Sequence, residues 1–114
     1  MADALGDKND LGVHTEMFST PMGKLMKDGN VTNRLKSINH GQSICTFMWG
    51  DREFYDFVDY NPAIRVLKSS YVNDPFVIAQ NDNMVSINTA MQVDLTGQIC
   101  SERVGFVQYS GTGG

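Results

Sequence analysis

An α/β fold, with an open, mainly parallel sheet and flanking helices, is what the sequence predicts, and three observations predict it. Stretches with strand character alternate with stretches that carry helix punctuation. The near-continuous apolar run from Ile44 to Trp49 fits a strand covered on both faces, as strands of parallel sheets are. The cleanest periodicity lies further on. Val85, Ile87, Thr89, Met91 and Val93 fall on one face, and Ser86, Asn88, Ala90 and Gln92 on the other.

The elements follow in order. Leu11 to His14 reads as a short buried strand or the end of one. Thr20 then caps a helix, Pro21 suits its first position, and Gly29 with Asn30 closes it. Met22, Leu25 and Met26 fall at helical spacing on its inward face. After the Ile44–Trp49 strand, Asp51 caps a second helix, Phe54, Phe57 and Val58 mark its buried side, and Pro62 ends it. Trp49 and the phenylalanines read as core. Residues 64–72 look like another strand, and Asn73 and Asp74 before Pro75 open a short helix. The alternating strand over 84–94 runs into a turn at 94–98, and residues 98–110 offer one or two further strands, giving an antiparallel end.

The totals bound the function. At 114 residues the chain is one small domain, with 41% hydrophobic and 19% charged residues, an ordinary globular balance. Its net charge of -4 argues against a nucleic-acid backbone as partner, which needs a basic footprint. No window approaches the roughly 18 apolar residues of a membrane span, and the first ten residues lack a secretion-signal pattern. Cys45 and Cys100 stand far apart with no CxxC, as reduced, packed thiols of a cytoplasmic protein do.

Few residues carry chemistry by themselves. His14 and Glu16 form the H-x-E of zinc deaminases, but the P-C-x-x-C that completes such a metal site is missing, so no metal is expected. A lone glutamate near a helix start is most simply solvated. Asn73 is most simply a helix cap, and Met91 part of an apolar face. Gly111, Gly113 and Gly114 allow a tight turn whose backbone N–H groups can approach a phosphate or a developing oxyanion; alone, they read as a frayed terminus. In open α/β sheets ligands gather at the carboxyl ends of strands, which would place Glu16 and the terminal glycines on one rim.

Taken together, however, "DLGVHTEMF", "VTNR", "YVNDPFVIAQNDNMVSINTAMQVDLTGQICSE" and "YSGTGG", from about Asp10 to Gly114, resemble the acetyl-CoA hydrolase/transferase family. The resemblance implies the CoA-transferase (NagB/RpiA-like) fold in truncated form. Residues 1–114 would be a partial C-terminal catalytic domain, without the N-terminal domain and its coenzyme A-binding glycine loop. It implies CoA transfer between a short-chain acyl-CoA (4-hydroxybutyryl-, butyryl- or acetyl-CoA) and a carboxylic acid such as acetate, with coenzyme A as substrate and no cofactor. Glu16 becomes the catalytic nucleophile, which carries the CoA as a glutamyl thioester. Gly114, with Gly113 in the same turn, becomes the oxyanion and coenzyme A donor. Ser110 and Met91 become further coenzyme A contacts, and Asn73 lies close to the nucleophile. Two alternatives stay open: an acyl-CoA hydrolase, and a non-catalytic chain that needs a partner. Too few helices are present to cover the strands, so a homo-oligomer is expected, and the isolated chain is expected to be inactive.

Overall fold

The computed structural model describes residues 2–111, which fall into two units divided between Met84 and Val85. The first unit holds the helices and all of the parallel pairing. A 3-10 turn, Ala2–Leu5, precedes β1 (Met17–Ser19) and α1 (Thr20–Lys27). Then come β2 (Ser43–Cys45), β3 (Phe47–Trp49), α2 (Arg52–Val58), β4 (Ile64–Val66), α3 (Ser69–Val72) and α4 (Pro75–Ile78).

The sheet is parallel but broken. β1 pairs with β3 in the register Met17–Phe47, Phe18–Met48 and Ser19–Trp49. β2 pairs with β4 in the register Ser43–Ile64, Ile44–Arg65 and Cys45–Val66. Residues 43–49 thus lend one half to each partner, and no single open sheet forms among the described residues; the ladders are all two-stranded. The strand expected at Leu11–His14 is reduced to two parallel bridges, Leu11 to Val31 and His14 to Ile44. The ladder lapses between His14 and Met17 because the Glu16 carbonyl accepts two amides, from Thr46 at 2.9 Å and Phe47 at 3.1 Å. Glu16 therefore sits inside an interrupted strand, rather than beyond the carboxyl end of one.

The core follows the helix punctuation. Phe18, Cys45 and Phe54 are buried together, with Val13, Met22, Met26, Met48, Val58 and Ile64 packed around them. Asp51 caps α2 as its position predicts, accepting from the Phe54 amide at 2.8 Å. Gly23 of α1 and Gly50 before α2 both press on the Phe54 ring. A β-carbon at Gly23 would come within 2.9 Å of it; one at Gly50 would collide with it and lie 2.5 Å from Thr20 Oγ1. These glycines are small because the aromatic ring occupies the space. The Phe18 and Phe54 centroids are 5.8 Å apart, a distance at which aromatic pairs add to plain burial.

Several expectations are corrected. Ser19, not Thr20, stands at the N-cap of α1, with Pro21 just inside. α2 stops at Val58, before Pro62, because Asp59 turns extended and Tyr60 takes a left-handed backbone. Of the apolar run only Ile44 and Cys45 are fully buried; along β3 Met48 packs on the core while Phe47 and Trp49 fall on the other face, so Trp49 is 70% exposed and is not core. The strand expected over 64–72 ends at Val66, and its second half winds into α3.

The second unit consists of two antiparallel hairpins. β5 (Gln92–Val93) pairs with β6 (Ile99–Cys100), and β7 (Arg103–Val104) with β8 (Val107–Gln108). The turn at 94–98 forms as its residues predict. Asp94 Oδ1 accepts from the Thr96 and Gln98 amides, and Gly97 takes a positive φ. The strand expected over 84–94 shrinks to two residues. Alternation encodes a half-buried strand only where a partner and a covering layer exist, and here Val85 and Ile87 are exposed. Met91, expected on a buried face, is also exposed. Among the described residues no helix is long and apolar enough to cross a membrane.

Candidate active site

The Glu16 backbone is pinned by the Thr46 and Phe47 amides on its carbonyl, at the start of β3, while its side chain is exposed. That carboxylate is not simply solvated. Asn73 Nδ2 donates to Glu16 Oε2 at 2.9 Å, across 57 residues of sequence. Asn73 is therefore not the ordinary helix cap its position suggests. Asp74 caps α4, accepting from the Phe76 amide at 2.8 Å, and Asn73 closes α3 instead. One residue of offset frees the Asn73 side chain to face the glutamate. Beside it an open depression of about 550 Å³ is lined by Ser69, Ser70, Asn73, Asp74, Pro75 and Phe76.

The segment that carries Glu16 is anchored by residues to which sequence reasoning assigned no role. Asn33 is fully buried with a positive φ; its Oδ1 accepts from the Val13 amide at 2.9 Å and its Nδ2 donates to Ser43 Oγ at 3.0 Å. Asparagine suits this place because it tolerates the left-handed region and offers both a donor and an acceptor. Arg34 grips the Asp10 carboxylate with Nε at 2.6 Å and Nη2 at 2.5 Å, and this pairing holds Asp10 below the usual carboxylate range. Asn33 and Arg34 both lie within "VTNR", a stretch quoted for its resemblance alone. The signal that could have found Asn33 is an asparagine among turn residues, a common pattern with many bland explanations.

Lys36 is buried, with no carboxylate partner among the described residues. Its Nζ donates to the Val13 carbonyl at 2.9 Å and the Gln42 carbonyl at 2.8 Å, and burial pushes its ammonium down from 10.5 to about 8. Between pH 8 and 10.5 the unfolded chain holds this proton and the folded chain does not, so stability rises with pH across that window. Urea unfolding at pH 8 and pH 10 is expected to show this rise. The part due to Lys36 should vanish in Lys36→Met, and an equal rise in the variant would remove the assignment.

His14 Nε2 lies 2.7 Å from the Val72 carbonyl, while its Nδ1 is buried without a partner among the described residues. Burial, more than the nearby Lys36 charge, holds the imidazole below its ordinary pKa. Its Nε2 is thus engaged with backbone, away from any H-x-E metal pair, and no cluster of three metal-ligating side chains occurs among the described residues. Cys45 and Cys100 are both free. Burial raises the Cys45 thiol to about 11, which keeps it protonated and inert as a nucleophile at neutral pH.

Of the residues singled out from sequence, the structure brings Glu16 and Asn73 together. Met91 and Ser110 belong to the second unit. There the Met91 amide donates to the Cys100 carbonyl at 2.9 Å and the Ser110 amide to the Glu102 carbonyl at 3.2 Å. Gly113 and Gly114 lie outside the described residues.

Known proteins with similar sequence and structure bear on this pair. The chain is 47% identical over 110 residues to the 4-hydroxybutyrate coenzyme A transferase of Clostridium kluyveri, covering 96% of this chain and 26% of that protein. It is 49% identical over 111 residues to the succinyl-CoA:cyclohexane-1-carboxylate CoA transferase of Geobacter metallireducens, covering 97% of this chain and 25% of that one. The chain thus spans about a quarter of the length of the curated relatives it matches. Among solved structures, RipA from Yersinia pestis superposes with a TM-score of 0.88 at 45% identity, over 95% of this chain and 24% of that one. The 4-hydroxybutyrate CoA-transferase from Porphyromonas gingivalis does so with a TM-score of 0.83 at 38% identity, over 86% of this chain and 25% of that one. The family profile of the acetyl-CoA hydrolase/transferase C-terminal domain matches residues 50–114, a span that includes Asn73, Met91, Ser110 and the terminal glycines. On this match, which covers more than half of its length, the chain belongs to the acetyl-CoA hydrolase/transferase family.

Proposed function

We propose that this chain is the nucleophile-bearing part of the C-terminal domain of a CoA-transferase. It acts on a short-chain acyl-CoA, of the 4-hydroxybutyryl, butyryl or acetyl type, and on a carboxylic acid such as acetate. The observation that carries this reading is the Glu16–Asn73 hydrogen bond, a carboxylate held by a side-chain amide from 57 residues away. Similarity to CoA transferases along nearly the whole chain supports it.

Glu16 is suited to the exchange because it is itself a carboxylic acid. Its carboxylate attacks the acyl-CoA carbonyl, the C–S bond breaks, and an acyl–glutamyl anhydride and CoA thiolate result. The thiolate attacks the glutamyl carbonyl, expelling the donor acid as a carboxylate and leaving a glutamyl–CoA thioester. An acceptor carboxylate then enters, and the same steps run backwards to release the new acyl-CoA and free Glu16. Each attack develops negative charge on a carbonyl oxygen. The second N–H of the Asn73 amide and the Gly114 backbone N–H are its donors in this reading, and Gly113, Ser110 and Met91 contact coenzyme A. A preorganised donor of this kind typically supplies roughly 3–4 kcal/mol. A water-poor site is needed, because water at either acyl intermediate would turn transfer into hydrolysis.

The test is to mix the protein carrying this chain with acyl-CoA, reduce with borohydride, and map the modified residue by mass spectrometry. The expected result is reduction at Glu16, with CoA release that depends on added acetate. Modification elsewhere, or none, would overturn the reading; CoA release without acetate would convert it to a hydrolase. A homo-oligomer is part of the proposal and is supported by the exposed Phe47, Trp49 and Phe76. A purely monomeric species in sedimentation would remove that part.

A further inference from the structure

We infer that His14 is a positioning residue, whose Nε2–H, donated to the last carbonyl of α3, fixes the place from which Asn73 meets Glu16. This rests on the reading of Glu16 as the nucleophile. Two bonds join the same two segments: His14 to Val72 at 2.7 Å and Asn73 to Glu16 at 2.9 Å. Two residues along one segment match one along the other, 14 with 72 and 16 with 73. The carbonyls of a helix's last turn have no partner within the helix, and α3 has only four residues to hold itself in place. Val72 is buried, so its carbonyl needs a protein donor. A carbonyl only accepts, so His14 Nε2 carries the proton. Nδ1, buried and unpartnered, is the bare nitrogen of the neutral ring. The His14 backbone is held in turn by its bridge to Ile44, and the Val13 carbonyl before it takes the Lys36 ammonium. The ring is thus a strut between a fixed strand and the short helix that ends in Asn73.

Nitrogen-15 NMR of the wild-type protein is expected to show Nε2 protonated and Nδ1 bare. Two variants separate the strut from mere packing. His14→Phe keeps a ring but removes the donor; His14→Gln keeps an N–H at similar reach. In His14→Phe the Asn73 side-chain amide should lose at least about tenfold of its protection from proton exchange. Glutamyl–CoA formation should slow by about 10- to 100-fold, the scale of an ångström's misplacement, with acyl-CoA affinity unchanged. His14→Gln should restore both. An Nδ1–H tautomer in the wild type, or a folded His14→Phe with normal Asn73 protection, would overturn the inference. So would a His14→Gln no better than His14→Phe. If His14→Phe does not fold, the wild-type tautomer and the glutamine variant decide. Should the wild type form no adduct at Glu16, the nucleophile reading fails, while the strut is still judged on the NMR measurements alone.

Discussion

Glu16→Asp is expected to slow CoA exchange by on the order of 100-fold or more, although it keeps the negative charge. The substitution withdraws the carboxylate by one methylene, and displacements near 1 Å cost about that factor when reacting atoms must meet in line. Glu16→Gln is expected to abolish exchange, because an amide can form neither the anhydride nor the thioester. Both should leave the unfolding midpoint close to wild type. The side chain is exposed and takes part in no core contact, and substitutions of that kind usually change stability by no more than about 0.5 kcal/mol. Steady-state exchange and urea unfolding on the same preparations check both halves. Normal turnover in either variant would end the assignment of Glu16. A large loss of stability would mean that the glutamate is structural.

Phe54→Ala is expected to act in the opposite way, on the fold rather than on the chemistry. Phe54 is 3% exposed and meets Phe18 across a centroid distance of 5.8 Å. Gly23 and Gly50 approach the ring with backbone and have no side chain to move into the space it would leave. Truncation of a buried phenylalanine costs about 3–5 kcal/mol, the upper part of that range applying where the cavity persists. For a domain of this size that is a large share of the total, which runs to roughly 5–15 kcal/mol. Urea unfolding should show the midpoint falling sharply, with Phe54→Leu in between. A cost below about 1 kcal/mol would mean that the Phe18–Cys45–Phe54 cluster is not the centre of the core.

The two residues differ in how far the sequence alone disclosed them. Phe54 was legible from local rules: an aspartate cap at 51 fixes where α2 begins, and helical spacing then assigns the inward face. The α1 helix, the 94–98 turn and the parallel character of the first pairings were legible for the same reason. Their signals lie within a few residues of one another. The long strands were overcalled. An apolar run or a clean alternation reports that a segment tolerates a sheet; whether it has a neighbour depends on chain elsewhere. Ser43–Cys45 pairs with β4 and is buried throughout; Trp49 pairs with Ser19 of β1 yet faces outward, and Val85 and Ile87 are exposed.

The site was legible in its parts but not as a site. Resemblance named Glu16 and Asn73, yet their local settings argued for a solvated carboxylate and a helix cap. By itself, the sequence determined the Asp51 start of α2, the turn at 94–98, the acidic balance and the place of an unusual glutamate. All of these follow from short-range sterics, capping and composition. Only the tertiary structure decided that Asp74 takes the cap and that Asn73 is left to hold Glu16. It also decided that Asn33 and Lys36 are buried beneath the same segment. The Asn73 and Asn33 contacts join groups 57 and 20 residues apart, and no local propensity encodes which of two adjacent polar side chains a distant partner will claim.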